Sequence, residues 1–172
     1  RLNDKLDEAD RMIHRAIQIA PDDVRVLSEL AILYDLQGQQ YLAARIYRQI
    51  LEKDPQRAST YNNLGVSQML REEYSEAIIS FRKALLLDQN STRVKNNLAM
   101  AYALYGDEQN ALNLFNETVG QAAAYNNLGY LYLTEGRLDD AERALKKALE
   151  LKPSFYTKAQ ENLDRVQQLK AN

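Results

Sequence analysis

Few side chains in this sequence have the types and spacing that catalysis or metal binding requires. His14 is the only histidine and cysteine is absent, whereas a protein zinc site needs several imidazole or thiolate ligands. The sequence contains neither the Gly-x-Ser-x-Gly turn that exposes a serine nucleophile nor a glycine-rich phosphate loop. We therefore expect no enzymatic activity, no cofactor, no metal site and no small-molecule substrate.

Paired carboxylates are the remaining candidates for acid and base chemistry. They occur at Asp22 and Asp23, at Glu72 and Glu73, and at Asp139 and Asp140. Each pair precedes a stretch with helical periodicity, and the helix dipole stabilises negative charge at a helix start. We interpret the pairs as helix-start residues rather than as catalytic dyads.

The charge balance and the hydropathy exclude other classes of partner. The 172 residues include 22 basic and 24 acidic side chains, which gives a formal net charge of -2. Because a basic excess supplies most of the affinity for phosphate backbones, nucleic acid is not an expected partner. No apolar run approaches the ~20 residues that a membrane helix needs.

The helices that would position any binding residues follow a sequence repeat of about 34 residues, a length typical of a helix pair. Small residues recur at this spacing, at Ala9, Ala43, Ala77, Ala111 and, after a shorter interval, Ala141. Large apolar residues follow one helical turn later, at Ile13, Tyr47, Phe81, Phe115 and Leu145. Residues one turn apart share a helix face, so these positions predict a buried stripe.

A second set of equivalent positions precedes each alanine. It comprises Leu30, Leu64, Leu98 and Leu128, then Ala31, Gly65, Ala99 and Gly129, then Tyr34, Gln68, Tyr102 and Tyr132, and finally Gly38, Glu72, Gly106 and Gly136. Glycine at a helix end accepts the left-handed conformation that closes the last turn. Each repeat therefore predicts two helices joined by a short turn.

This pattern closely resembles the tetratricopeptide repeat (TPR) family. The family motif is nearly complete in the fourth unit, at Tyr125, Leu128, Gly129, Tyr132, Gly136, Ala141, Ala148 and Pro153. The resemblance implies an all-α fold, a right-handed superhelical solenoid of antiparallel helix pairs with a C-terminal capping helix. In such a solenoid the first helix of each pair lines a concave groove, which in this family commonly holds an extended or helical peptide.

We expect residues 1–172 to form a single solenoid. Its parts are an orphan second helix of a truncated repeat at 4–20, repeats at 24–57, 58–91, 92–121 and 122–155, and a capping helix at 156–170. The third repeat is short near Thr118, which predicts either a shortened second helix or a local change of curvature. The unpaired helix at 4–20 predicts either missing upstream repeats or a second chain that covers it, as in a homo-oligomer.

Partner-binding residues are predicted on the groove face of the first helices. We expect this role for Asn62, Val66, Arg93, Asn96, Met100, Leu104, Asn126 and Tyr130. The amides can pair with a peptide backbone, and the apolar side chains can anchor it. A neighbouring row of Asn63, Asn97 and Asn127 predicts either an amide ladder for the peptide or braces between adjacent helices.

The predicted function is a protein–protein interaction scaffold that binds a peptide or protein segment in the groove. TPR domains that bind chaperone tails grip a terminal carboxylate with several basic residues, and Arg93 alone does not supply such a clamp.

Two runs, VKNNLAMAYALYG at 94–106 and AAAYNNLGYLYLTEGRLDDA at 122–141, resemble bacterial tight-adherence (Flp-type) pilus-assembly lipoproteins. That resemblance implies a role in pilus or secretin assembly and a periplasmic, outer-membrane-associated location. It also implies membrane anchoring through a segment upstream of Arg1. The alternative is a regulatory or substrate-docking module of a larger enzyme or signalling protein, located in the cytoplasm.

Overall fold

A computed structural model of the chain describes residues 2–152 and 157–171, with side chains from Glu8 onward. These residues form ten α-helices and no strand. The helices are α1 (Leu2–Ile19), α2 (Val24–Leu36), α3 (Gln40–Lys53), α4 (Ala58–Leu70), α5 (Tyr74–Leu87), α6 (Thr92–Tyr105), α7 (Glu108–Val119), α8 (Gln121–Thr134), α9 (Leu138–Leu151) and α10 (Thr157–Ala171). The predicted all-α fold of TPR helix pairs is confirmed.

The helix bounds follow the repeat pattern closely. In the third repeat, α7 has 12 residues, whereas the second helices α3, α5 and α9 have 14 each. Gly120, with a φ of 83°, is the only residue between α7 and α8. The structure therefore contains the shortened second helix. Pro153 and the predicted start of the capping helix at residue 156 lie outside the described residues.

The chain divides into two compact units, residues 1–94 and 95–172. In the first unit, the predicted small and large positions are buried together and form the core between α2, α3, α4 and α5. This core contains Leu27, Ala31, Ala43, Tyr47, Ile50, Leu64, Ala77, Phe81 and Ala84. The buried stripe predicted for these repeats is confirmed.

In the second unit, the core is built from the corresponding positions and from the last helix. It contains Ala111, Phe115, Leu128, Tyr132, Ala141, Leu145 and Ala148, together with Ala159, Leu163 and Val166 of α10. The Lys170 ammonium forms ion pairs with Asp139 and Glu142 of α9. The apolar face of α10 and these two ion pairs together hold the last helix against α9.

Close packing between the two helices of a pair requires glycine at two positions in the middle of a helix. A Cβ at Gly65 would lie 2.7 Å from Cε1 of Phe81, and a Cβ at Gly129 would lie 2.6 Å from Cγ of Leu145. Because both separations are below van der Waals contact, any larger residue at either position would displace its neighbour. The small residue after each leucine thus lets the two helices of a pair approach.

The acidic pairs lie at helix starts, as predicted. Asp23 caps α2, where its carboxylate accepts hydrogen bonds from the Arg25 guanidinium at 2.9 Å and from the Arg25 backbone N–H at 2.8 Å. These two bonds, the guanidinium bond above all, lower the pKa of Asp23 to about 2. Asp139 and Asp140 lie in the first turn of α9. Their carboxylates stabilise helix starts, where unpaired backbone N–H groups favour negative charge.

None of the described helices is both long enough and apolar enough to cross a membrane.

Candidate peptide-binding surface

The first unit contains an open apolar pocket on the first helices of two consecutive repeats. This pocket, called here the α2–α4 pocket, has a volume of about 300 Å³ and is lined by Ile32, Asp35, Leu36, Tyr47, Asn63, Val66 and Leu70. Leu36 is 66% exposed and Leu70 is 56% exposed. Such neighbouring exposed leucines are costly to keep in water, and they are common where another molecule binds.

The floor of the pocket carries a carboxylate that bonds to a core tyrosine. The Tyr47 hydroxyl donates to Oδ2 of Asp35 at 3.0 Å. Burial raises the pKa of Asp35, and the hydroxyls of Ser67 and Tyr47 and the charge of Arg71 partly oppose that rise. Burial and the nearby Asp35 charge raise the pKa of Tyr47 as well. The pocket therefore has an apolar rim and a polar, half-buried floor.

Hydrogen bonds between α3 and α4 hold this floor in place. The backbone carbonyl of Gln40 accepts from Oγ of Ser67 at 3.2 Å and from Nη1 of Arg71 at 3.3 Å. Nη2 of Arg71 pairs with Glu73, and the guanidinium lies 4.6 Å from the centre of the Tyr41 ring. Since these contacts fix α4 against α3, they also fix the position of Val66 and Leu70.

One predicted site residue in the first unit is placed differently from the expectation. Asn62 is 2% exposed, and its Nδ2 donates to Oδ1 of Asn63 at 3.3 Å. The prediction that Asn62 faces a partner is therefore wrong, because α4 turns this position into the protein interior. Val66 and Asn63 do line the pocket, and Arg93 is exposed.

In the second unit, the predicted asparagines form hydrogen bonds within the protein. Oδ1 of Asn96 accepts from the Thr118 hydroxyl at 2.6 Å, which connects α6 to α7. Oδ1 of Asn126 accepts from Nδ2 of Asn162 at 3.5 Å, which connects α8 to α10. Both asparagines are half-buried. Their side chains therefore brace neighbouring helices, and a role in binding a partner stays a prediction.

The apolar residues predicted in the second unit differ in exposure. Tyr130 is 51% exposed, whereas Met100 and Leu104 are half-buried and pack against the core of that unit. Asn97 and Asn127 are half-buried, so the second asparagine row is only partly accessible. Of this set, Tyr130 offers the largest free surface to a partner.

The sequence interpretation missed Asp35 and the role of Tyr47 next to it. Asp35 lies between Tyr34, at a repeat position, and Leu36, which lines the pocket. The signal that could have identified it is an acid within an apolar helix one turn after Ala31, where the helix faces both the groove and Tyr47. Tyr47 itself was assigned to the core, where it is indeed buried.

Within the described part of the chain, no group of three or more histidine, aspartate or glutamate side chains could hold a metal ion. His14 lies on the exposed side of α1, where its Nδ1 bonds to the carbonyl of Asp10 at 2.9 Å. Its position is that of a helix-surface residue.

Models of the tetratricopeptide repeat match this chain in two segments, residues 42–93 and 122–155. Together the two segments span half of the sequence. The chain belongs to the tetratricopeptide repeat family.

Relatives of this chain include much longer proteins. It is 27% identical over 159 residues to human protein O-mannosyl-transferase TMTC3, a match that covers 88% of this chain and 17% of that protein. It is 35% identical over 114 residues to heat shock protein STI1 of Saccharomyces cerevisiae, which covers 63% of this chain and 19% of the other. The chain thus spans less than a fifth of the length of either protein.

Other similar proteins are closer in size. The photosystem I assembly protein Ycf3 of Prochlorococcus marinus is 26% identical, over 62% of this chain and 73% of its own length. The crystal structure of MamA superposes with a TM-score of 0.66 at 25% identity, covering 87% of this chain and 90% of that one. A Thermus thermophilus TPR protein has the same TM-score at 20% identity over 97% of this chain and 93% of its own. These matches give no support to the predicted resemblance to pilus-assembly lipoproteins.

Proposed function

We propose that this chain is a protein-binding scaffold that holds a peptide segment of a partner protein in the α2–α4 pocket. The observation that carries the proposal is the pocket itself, in which exposed leucines surround a polar floor. The apolar rim supplies affinity, because burying it removes apolar surface from water. The Asn63 amide can fix the orientation of a bound segment by hydrogen bonds, and Asp35 contributes its carboxylate to the lining.

The dimensions of the pocket favour a peptide over a folded domain. Its volume of about 300 Å³ is at the lower end of the range for ligand pockets, roughly 300–1,000 Å³. Such a space accommodates one or two side chains of an extended or helical segment. The exposed ring of Tyr130 in the second unit is a further candidate anchor of the kind that is enriched among binding hot spots.

The similarity to Ycf3 supports a scaffold role. That relative is named as an assembly protein, and the match covers most of its length. A scaffold that binds segments of other proteins during assembly needs no catalytic site. The more specific role in bacterial pilus or secretin assembly stays a prediction.

A second candidate function is a docking module of a larger enzyme. The match to protein O-mannosyl-transferase TMTC3 includes 88% of this chain but only 17% of that transferase. Such a difference in coverage is expected when a repeat domain forms one part of a larger protein. The two candidate functions share the same binding surface and differ only in what the chain is attached to.

A selection of peptides from a random display library on the wild-type protein tests the proposal. Peptides selected on the wild type should lose most of their binding to the double variant Leu36→Asp/Leu70→Asp, because a charged rim opposes apolar contact. The control is Leu86→Asp on α5, which changes a leucine that is 74% exposed outside the pocket. Circular dichroism should show equal helix content in all three proteins.

Equal binding to the pocket variant and the control would refute the pocket as the binding surface. Tyr130→Ala tests the second unit by itself, where we expect weaker binding of those selected peptides that the pocket variant still binds. Tyr130→Ala is preferred to a change at Asn96, since Asn96 bonds to Thr118 and its loss would also affect stability.

A further inference from the structure

The lining of the α2–α4 pocket carries a single formal charge. Among its residues, Asp35 is the only one of the Asp, Glu, Lys, Arg or His type, and the others are apolar side chains, a tyrosine and an asparagine. A carboxylate in apolar surroundings interacts with another charge more strongly than it would in water, because the effective dielectric constant is lower. The charge of any segment that enters the pocket therefore affects its binding.

The carboxylate of Asp35 is only partly satisfied by the protein. Oδ2 accepts from Tyr47 at 3.0 Å, while Oδ1 is buried and accepts no hydrogen bond of normal geometry. The Ser67 hydroxyl, which lies close enough to lower the pKa of Asp35, donates to the carbonyl of Gln40. A buried acceptor without a donor costs free energy that a nearby positive charge would partly recover.

The positive charge in the protein that acts on Asp35 belongs to Arg71, and the two terminal nitrogens of its guanidinium are engaged by other groups. The guanidinium of Arg71 pairs with Glu73, donates to the carbonyl of Gln40 and stacks over the ring of Tyr41. It acts on Asp35 through its charge, without a hydrogen bond to it. Among the residues that the structure describes, Asp35 thus has no hydrogen-bonded cation, and it is the one acidic residue of the pocket lining.

We propose that the α2–α4 pocket selects partner segments in which an apolar side chain is adjacent to a lysine or arginine; this preference rests on the peptide-binding function proposed above. The apolar side chain occupies the space between Leu36, Val66 and Leu70. The neighbouring cation lies at the mouth of the pocket. It attracts Asp35 through its charge and not through a hydrogen bond to Oδ1, because that atom is buried. Acidic segments are rejected because their carboxylates would face Asp35.

Three synthetic nonapeptides, acetylated and amidated at their ends, provide the test. Each has two central leucines flanked on both sides by lysine, by glutamine or by glutamate. Titrations followed by ¹H–¹⁵N correlation spectra report both the affinity and the location, through the backbone amides of Asn63 and Val66. The lysine peptide should bind about five-fold more tightly than the glutamine peptide at low salt, and the glutamate peptide more weakly than both.

The variant Asp35→Asn separates charge from shape. An asparagine oxygen can still accept from the Tyr47 hydroxyl, so we expect the fold to be retained while the preference for lysine falls to within about two-fold. Glu76→Gln is the matched control, since Glu76 is an exposed acid on α5 outside the pocket lining. This control should keep the full preference. If Asp35→Asn unfolds, high salt tests the charge preference in the wild type: its loss supports an electrostatic origin, and its persistence overturns it.

The outcomes separate the preference from the function on which it rests. If the glutamine peptide binds at the pocket as well as the lysine peptide, the charge preference is overturned while peptide binding stands. If the preference persists in Asp35→Asn, another group is responsible and the assignment to Asp35 is overturned. If none of the three peptides at millimolar concentration shifts the backbone amide signals of Asn63 or Val66, the charge preference is overturned. The display selection then tests the proposed peptide-binding function independently.

Discussion

The second and fourth repeats share their core positions but differ in how they fill one of them. In the fourth repeat, Tyr132 is buried, and its hydroxyl donates to the Glu108 carboxylate at 3.0 Å while the Arg137 guanidinium lies 4.0 Å from the ring centre. In the second repeat the same position holds Gln68, which is also buried. The Gln68 amide and the Ser80 hydroxyl share a hydrogen bond of 2.6 Å. With the amide oriented so that Nε2 faces the neighbouring acceptors, Nε2 donates to Ser80 and also to the carbonyls of Glu76 and Leu64, at 3.2 and 3.3 Å.

The two repeats also close their first helices differently. Gly136 has a φ of 71° in the fourth repeat, and Glu72 has a φ of 61° at the equivalent position of the second. Glycine adopts this left-handed conformation without steric cost, whereas a residue with a Cβ does not. The comparison shows that the small and large core positions define the repeat. Other positions can hold a different residue where a local hydrogen bond compensates for the change, as at Gln68, or where the fold tolerates the backbone strain, as at Glu72.

The largest effect is expected at the positions that the two repeats have in common. Ala77→Leu and Ala141→Leu each insert a large side chain where the alanine is fully buried. Each should lower the free energy of unfolding by about 1–3 kcal/mol through overpacking. Urea denaturation measures both, with Arg82→Leu at an exposed position of α5 as the control. A small effect at either alanine would mean that the two repeats do not share one core pattern.

An intermediate effect is expected where the repeats differ in the core. Ser80→Ala removes one partner of the buried Gln68 amide and should lower the free energy of unfolding by about 1 kcal/mol. Ser75→Ala, at an exposed serine on the same helix, should have little effect. In a double-mutant cycle, Gln68→Leu combined with Ser80→Ala should cost less than the sum of the single changes. Additive costs would show that the two side chains do not compensate for the missing tyrosine.

The smallest effect is expected at the helix end. Glu72→Gly should raise the free energy of unfolding by up to about 1 kcal/mol, because it relieves the left-handed strain of a residue with a Cβ. The reverse change in the fourth repeat, Gly136→Ala, should lower it by a similar amount. Thermal denaturation of both variants measures these two changes in the free energy of unfolding. An opposite sign at Glu72 would indicate a stabilising role for its side chain.

The repeat pattern predicted the fold well because its signal is carried by burial. Ala43, Tyr47 and Phe81 had to be buried wherever the helices formed, since their spacing placed them on one face. The side of each groove residue was harder to predict, because a difference of one position rotates a side chain by about 100° around the helix. Asn62 was expected to face the groove and is buried. Asp35 was not selected at all, although it lines the pocket.

The two sides of the last helix differ in what it would cost to remove them from water. Its inner side chains, Ala159, Leu163 and Val166, are buried in the core, whereas Lys158, Glu161, Asp164 and Arg165 are exposed. A surface that covered the outer side of α10 would have to remove water from these charged side chains, which is costly unless it supplies charges of the opposite sign. Contacts to that side of α10 would therefore depend on charge complementarity, unlike the apolar contacts of its inner side.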